Sequence, residues 1–157
     1  MKRLLYLTVI LSMALAAPTH ADDLPDIDEA FSKDILVIET ADNGCFKFDV
    51  YIAVTNAQQQ RGLMFVRYLP EWSGMLFLYQ PAGIRSMWMK NTYIPLDILF
   101  ARADGTVSSV EANTEPLSLK SISAIEPVGF VLELNAGTAT RLGIEAGSRL
   151  VLERAEQ

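Results

Sequence analysis

Short segments of alternating apolar and polar residues, separated by turn residues, run through most of this chain. The clearest example extends from Phe46 to Val54, where every second residue is Phe, Val or Ile. A period of two places such residues on one face of a β-strand. Similar or nearly continuous apolar segments predict further strands at 35–39, 74–79, 84–89, 94–100, 107–112, 128–134 and 148–152. Turns are expected at 80–83 and 103–105, and a loop at 113–126.

Helical signals are few and short. Thr55–Asn56 is suited to cap a helix over residues 57–61 that Gly62 can end, and Asn135 is expected to cap a second helix that runs to Leu142. A doubly wound parallel sheet needs longer helices between its strands. The prediction is therefore a mainly β (β-rich α+β) fold, a compact barrel- or sandwich-like domain of seven to eight short strands with two short helices.

The N-terminus has the order of a secretory signal peptide. The basic segment Met1–Arg3 precedes an apolar run over residues 4–17, and Pro18 is followed by the small-residue pair Thr19 and Ala21. The run is shorter than the ~20 apolar residues that cross a bilayer as a helix. We therefore expect a periplasmic or secreted protein with a signal peptide over 1–21 cleaved after Ala21, a flexible acidic lead-in over 22–34, and one globular domain over 35–157.

Removal of the signal peptide changes the net charge of the chain and excludes several kinds of catalytic and metal site. Lys2 and Arg3 are lost, so 13 basic residues become 11 against 19 acidic ones, and the formal net charge moves from −6 to −8. Such a charge disfavours nucleic acid and anionic membrane surfaces as partners. His20 is the only histidine and is also lost. A Ser-His-Asp triad, a Cys-His pair and a histidine-ligated zinc site are therefore excluded, and no metal or cofactor is predicted.

Cys45 is the single cysteine, so the chain cannot form an internal disulfide. It stands beside Phe46 at the start of a predicted strand. We expect it to be a buried, unreactive residue, because a free cysteine usually packs as a small hydrophobic side chain.

Two carboxylates are candidates for acid–base chemistry. Asp97 lies in a strand whose Leu96 and Ile98 face the other way, and Glu133 is similarly placed between Leu132 and Leu134. A carboxylate among apolar strand residues is either exposed or provided with partners. The structural alternative is that both face water, or form ion pairs with Arg61, Arg85 or Lys90 that fix the fold.

A second set of polar residues is suited to binding. Lys90, Asn91 and Thr92 follow a predicted strand and offer an ammonium, an amide and a hydroxyl at a loop, where binding groups concentrate. Trp88 and Asn135 are further candidates. Ordinary turn chemistry with a solvated lysine would explain the first three residues equally well, and a helix cap would explain Asn135.

Several of these residues belong to motifs that resemble a known family. Arg61-Gly-Leu-Met64, Gly74-Met-Leu-Phe77, Trp88-Met-Lys-Asn-Thr92, Ile94-Pro-Leu-Asp97 and Leu132-Glu-Leu-Asn-Ala-Gly137 are similar to motifs of the family known as domain of unknown function 192. The resemblance runs from about Val37 to Leu152. It implies a small β-rich fold, common among exported bacterial proteins, and it supplies neither an agreed activity nor a catalytic residue.

The sequence leaves three functional hypotheses. The first is a binding module of the cell envelope, in which Lys90, Asn91 and Thr92, with Trp88 and Asn135, hold a small polar or anionic ligand or an envelope protein. The second is a histidine-free, hydrolase-like envelope enzyme that uses Asp97 or Glu133 as acid or base with Lys90 as electrostatic stabiliser. The third is a purely structural interaction role. Whether the chain is an enzyme stays open, and no stable membrane anchor is expected after cleavage.

Overall fold

The computed structural model describes residues 26–153. The predicted signal peptide and the first part of the lead-in, residues 22–25, lie outside the described residues. Within the described range, no helix is both long enough and apolar enough to cross a membrane.

Nine strands and three helices form the described part of the chain. The strands are β1 (Ser32–Glu39), β2 (Cys45–Ala53), β3 (Ser73–Gly83), β4 (Ser86–Met87), β5 (Leu96–Ala101), β6 (Val107–Glu111), β7 (Ile122–Ser123), β8 (Val128–Asn135) and β9 (Arg149–Leu152). The helices are α1 (Ile27–Ala30), α2 (Asn56–Arg61) and α3 (Thr138–Leu142). The mainly β class predicted from the alternating pattern is confirmed.

Seven strands form one curled sheet in the order β6-β5-β8-β3-β2-β1-β9, and β4 pairs with β7 in a small separate sheet. All neighbours are antiparallel except β2 and β3, which are parallel and are connected through α2. The two edges of the large sheet approach each other, because Thr106 bridges to Arg149 and the Leu150 amide donates to the Gly105 carbonyl at 2.8 Å. The result is a half-barrel.

Both faces of this sheet are covered, which gives the molecule two apolar cores. The inner core lies inside the curl and includes Leu36, Ile38, Phe48, Val50, Leu76, Leu99, Leu132 and Leu134. The outer core lies on the other face and includes Tyr51, Met75, Phe77, Leu96, Ile98, Phe100 and Val131. We call the segments that cover the outer core, residues 61–70, 84–95 and 114–125, the cover layer. Burial on both faces explains why all six residues of β5 are buried.

Local sequence signals explain α2. The Thr55 hydroxyl accepts from the Gln58 amide and the Gln58 side chain accepts from the Thr55 amide, so the helix begins with a reciprocal capping box. Gly62 ends the helix at a positive φ of 48°. The predicted cap and the predicted end are both confirmed.

Other boundaries differ from the prediction. Strand β1 begins at Ser32 and is preceded by a helical turn, so regular structure replaces most of the predicted acidic lead-in. The cause is pairing with β2, where Lys33 lies opposite Tyr51 and forms an ion pair with Asp28 at 2.6 Å. The predicted turn at 80–83 is instead the end of β3, because Gly83 pairs with Val128. The strand predicted at 84–89 is reduced to Ser86–Met87.

Cys45 is exposed, and the prediction of a buried thiol is wrong. Alternation correctly separates Phe48 and Val50, which face the inner core, from Cys45, Lys47 and Asp49 on the opposite face. The cover layer does not reach this end of β2, so its outer face lies in water.

Thiol labelling tests this placement. We expect native protein to react with a maleimide reagent at nearly the rate of the unfolded chain, because the Cys45 side chain is accessible without unfolding. The measurement is mass spectrometry after short labelling times. The change Cys45→Ala should alter the free energy of unfolding by no more than about 0.5 kcal/mol. Strong protection of the native thiol would contradict the exposed position.

Candidate functional site

Lys90 is held at the surface by an aromatic ring. Its Nζ atom lies 5.0 Å from the centroid of the Trp88 ring, and the Trp88 side chain is itself 48% exposed. The attraction between an ammonium and an indole face contributes about 0.5–1 kcal/mol at an exposed site. This contact restricts the lysine side chain, while its N–H donors can still meet a ligand.

The backbone around Lys90–Thr92 is strained. Asn91 has a φ of +56°, and its carbonyl accepts from the amide of Phe65, which has a φ of +67°. On the other side, the Thr92 carbonyl accepts from the amide of Leu117, with a φ of +62°. Asparagine tolerates left-handed backbone, but bulky residues such as Phe and Leu rarely adopt it. Such conformations cost about 1–3 kcal/mol each and cluster at functional sites.

Asn91 and Thr92 use their polar side chains within the fold. The Asn91 amide donates to the Met64 sulfur at 3.9 Å. Thr92 is buried, its backbone amide donates to the Met89 carbonyl at 3.0 Å, and its hydroxyl makes a long contact of 3.4 Å to the Lys90 carbonyl. These contacts close the turn, so the ammonium of Lys90 is the group that the turn presents outward.

A second stacked cation lies beside this turn. The Arg67 guanidinium is 4.7 Å from the Tyr93 ring centroid, and Tyr93 packs edge-on against Phe65 at 6.1 Å. We call Arg67, Trp88, Lys90, Asn91 and Tyr93 the cation–aromatic turn. Sequence reasoning missed Arg67 and Tyr93. A usable signal existed, because residues 61–70 and 84–95 hold four cations and no carboxylate in a chain with an excess of acids.

Arg67 and Lys90 form no ion pair with a carboxylate within residues 26–153. The four ion pairs found there join Lys33 to Asp28, Lys47 to Glu153, Arg102 to Glu126 and Arg141 to Glu71. Arg67 and Lys90 appear in none of them, and Arg85 instead lies over the Tyr79 ring at 4.5 Å. The cover layer therefore carries local positive charge on a protein that is acidic as a whole.

Asp97 has a different setting, inside the curl of the large sheet. Its side chain is fully buried and its two carboxylate oxygens accept three backbone N–H bonds, from Asn113 at 2.9 Å, Gly137 at 3.1 Å and Ala139 at 2.8 Å. The carboxylate thus caps the start of α3, in place of the predicted cap Asn135. The Asn135 amide donates instead to the carbonyls of Leu69 and Pro70. Asp97 is neither exposed nor ion-paired, contrary to the structural alternative considered above.

Glu133 is buried in the outer core. It lies opposite Met75 on β3 and Ile98 on β5, and its Oε2 atom has no hydrogen-bond partner among the described residues. Removal from water raises the pKa of this carboxyl from 4.5 to about 8. Burial and the nearby Glu133 also raise the pKa of Tyr79, to about 12. Burial therefore favours the protonated, neutral form of Glu133. This residue is neither exposed nor ion-paired, contrary to the structural alternative considered above.

The two carboxylates do not share a site. Asp97 lies opposite Leu134 and faces the inner core, whereas Glu133 lies opposite Ile98 and faces the outer core. Opposite faces of one sheet separate them, because side chains alternate along each strand.

Four cavities that are lined only by described residues lie elsewhere. An apolar cavity of about 140 Å³ occupies one end of the curl beside Leu76 and Leu150, and a polar one of about 300 Å³ has Met89 and Thr114 in its wall. Lys90, Asn91 and Thr92 line none of these cavities. No group of three or more His, Cys, Asp or Glu side chains in residues 26–153 could hold a metal ion.

Comparison with known proteins agrees with this architecture. A crystal structure from Sinorhizobium meliloti 1021, described as a candidate transcription regulator, is 42% identical, covers 78% of this chain and 95% of its own, and superposes with a TM-score of 0.76. A protein of unknown function from Novosphingobium aromaticivorans DSM 12444 is 35% identical, with coverages of 88% and 94% and a TM-score of 0.76. No curated protein matches the chain.

The family profile that matches spans residues 37–152 and is described as uncharacterized ACR. This span holds every motif on which the resemblance rested, from Arg61 to Gly137. The matched span also includes almost all of the large sheet and the whole of the cation–aromatic turn. The chain therefore belongs to the DUF192 family.

Proposed function

We propose that this protein is an exported binding module of the cell envelope, and that its cation–aromatic turn holds a small anionic ligand. The observation that carries the proposal is the pair of stacked cations, Lys90 and Arg67, which have no carboxylate partner in the described part of the chain. A fold gains little from two such cations on neighbouring segments of the cover layer, whereas an anionic ligand that reaches both would gain charge-assisted hydrogen bonds from each.

The strained backbone supports the same proposal. Asn91, Phe65 and Leu117 adopt left-handed conformations, and direct hydrogen bonds tie Phe65 to Asn91 and Leu117 to Thr92. The surrounding structure must stabilise this arrangement, since it is unfavourable locally. A turn fixed in this way presents Lys90 in a defined place, as a preorganised binding site requires. The exported location rests on the signal-like N-terminus.

The enzymatic alternative has less support. Both oxygens of Asp97 are occupied by backbone donors, and Glu133 lies on the opposite face of the sheet. An acid–base pair needs both groups within reach of one substrate. The description of the Sinorhizobium relative points to a role with nucleic acid, but a net charge of −6, or −8 after cleavage, opposes a polyanion of that size.

Titration with glycerol 3-phosphate tests the proposed site. We expect this anion to shift the amide NMR signals of Trp88, Lys90 and Asn91. The change Lys90→Ala should weaken binding at least tenfold, because it removes the exposed ammonium, and should leave the thermal midpoint nearly unchanged.

The matched control is Lys47→Ala, which removes an exposed lysine from β2 that forms an ion pair with Glu153. This variant should bind glycerol 3-phosphate as the wild type does. Equal losses in the two variants would indicate nonspecific charge attraction, and shifts confined to other regions would refute the site.

A further inference from the structure

The small sheet of β4 and β7 exposes an unusual concentration of apolar side chains. Nine large hydrophobic residues are exposed in residues 26–153, and five of them lie within five positions of these two strands in the sequence. The five are Ile84, Trp88, Leu117, Leu119 and Ile125. We call them the apolar face. Soluble proteins seldom cluster exposed apolar residues unless the cluster meets a partner.

The register of the small sheet explains how the face forms. Met87 lies opposite Ile122, and both pack against the outer core, while Ser86 lies opposite Ser123 with their hydroxyl oxygens 2.8 Å apart at the surface. Side chains alternate, so Ile84 and Trp88 share the outward face with Ser86. The hydrogen bond from the Ala124 amide to the Arg85 carbonyl continues the pairing toward Ile84 and Ile125.

The charged residues within the two segments that carry the apolar face are all cations, although Glu111 and Glu115 line a cavity together with Lys120 beside β7. Residues 84–90 and 117–125 contain Arg85, Lys90 and Lys120 and no carboxylate, although the whole chain has 19 acidic residues. The combination of exposed aliphatic side chains, one tryptophan and a few cations is typical of surfaces that adsorb to an anionic bilayer.

We propose that the apolar face docks this protein onto the anionic lipid surface of an envelope membrane. This inference rests on the proposed function, because Lys90 would contact lipid phosphate. Ile84, Leu119 and Ile125 enter the boundary between headgroups and acyl chains, and Trp88 lies at headgroup level. The overall negative charge disfavours long-range attraction to an anionic bilayer, as it does to nucleic acid. Docking therefore depends on insertion of the apolar side chains and on the cations that lie within about 10 Å of the surface, since charges farther away are largely screened.

A bilayer fits the face better than a protein partner does. Protein interfaces obtain most of their binding energy from anchor residues that fill complementary pockets. None of the five apolar residues lines the apolar cavity beside Leu76 or the polar cavity beside Met89, so neither cavity can receive such an anchor at this face. A fluid lipid surface needs none, because it adapts to side chains that project singly.

Vesicle co-sedimentation tests the inference on the full chain as it is exported. We expect binding to vesicles of equal parts phosphatidylglycerol and phosphatidylcholine, and at least tenfold weaker binding to phosphatidylcholine alone. The double change Ile84→Ser and Ile125→Ser should reduce binding to the mixed vesicles at least tenfold. It should leave glycerol 3-phosphate binding within twofold of wild type, because Lys90 and Trp88 remain.

Val54→Ser is the matched control, since Val54 is also exposed, at 56%, but lies at the end of β2. It should bind vesicles as the wild type does. If glycerol 3-phosphate binds and mixed vesicles do not, or if Val54→Ser loses as much as the double variant, lipid docking is wrong and the proposed function stands. If neither probe binds, both fall.

Discussion

Replacing Asp97 with asparagine is expected to reduce the free energy of unfolding by about 3–5 kcal/mol, because the charge-assisted hydrogen bonds become neutral and at least one buried N–H group loses its acceptor. The carboxylate is fully buried and accepts from the amides of Asn113, Gly137 and Ala139. An asparagine side chain has only one acceptor oxygen. Its NH₂ group is a donor and would face at least one of these backbone N–H groups, which are also donors. The start of α3 would then lose its cap and retain unsatisfied buried donors.

Urea denaturation of Asp97→Asn provides the measurement, with thermal unfolding as a second readout. We expect the midpoint to fall by about 10 °C or more. Asp49→Asn is the matched control, because it makes the same chemical change at an exposed strand residue, and it should cost no more than about 0.5 kcal/mol. If the Asp97→Asn protein were as stable as the wild type but no longer bound a ligand or showed an activity, Asp97 would have a functional role and not a structural one.

Local sequence signals predicted much of the fold, because they depend on residues close in the chain. The capping box of Thr55 and Gln58 spans three residues, and the alternation in β2 correctly separated the face of Phe48 from the face of Cys45. The alternating pattern could not predict whether a second layer of the protein covers the outer face of the sheet. The cover layer buries Tyr51 and Ala53 but stops before Cys45, and only the path of distant segments decides this.

The candidate site was predictable to the same limited extent. Lys90 was found because it stands with two other polar residues at the end of an apolar segment. Arg67 joins it through the hydrogen bond between Phe65 and Asn91 and through its contact with the Tyr93 ring, and no local pattern indicates either contact. The prediction that Asn135 caps α3 was wrong for the same reason. The residue that caps the helix, Asp97, is separated from the Ala139 amide by 42 positions in the sequence.

Glu133 gives the second large expected effect, a loss of stability as the pH rises. The folded pKa of about 8 lies above the ordinary value of 4.5, so between these values the folded state keeps a proton that the unfolded chain releases. The stabilisation from this group is fully present below pH 4.5 and is lost as the pH rises toward 8. The slope is about 1.4 kcal/mol per pH unit, and the accumulated loss at pH 8 is on the order of 4 kcal/mol.

The change Glu133→Gln should abolish this slope, because an amide resembles the protonated acid and does not titrate. We would measure urea unfolding of both proteins from pH 5 to pH 8 and compare the difference between them. The lowered pKa values of Asp28, Asp42 and Asp104 act in the opposite direction, with stability lost as the pH falls, but they affect both proteins equally. The free energy of unfolding of the variant should therefore rise relative to that of the wild type as the pH increases, and the variant should be the more stable protein at pH 8.

Glu111→Gln is the matched control for this series, since Glu111 is exposed at the end of β6. Its stability should follow the wild type in parallel at every pH. Parallel curves for Glu133→Gln as well would mean that Glu133 ionises normally in the folded protein, and that its buried oxygen has a partner in solution. A widening difference confined to Glu133→Gln would identify a neutral carboxylic acid beneath the cover layer. The layer that presents Lys90 and Arg67 would then keep its positive charge at neutral pH, since the acid below it contributes no negative charge.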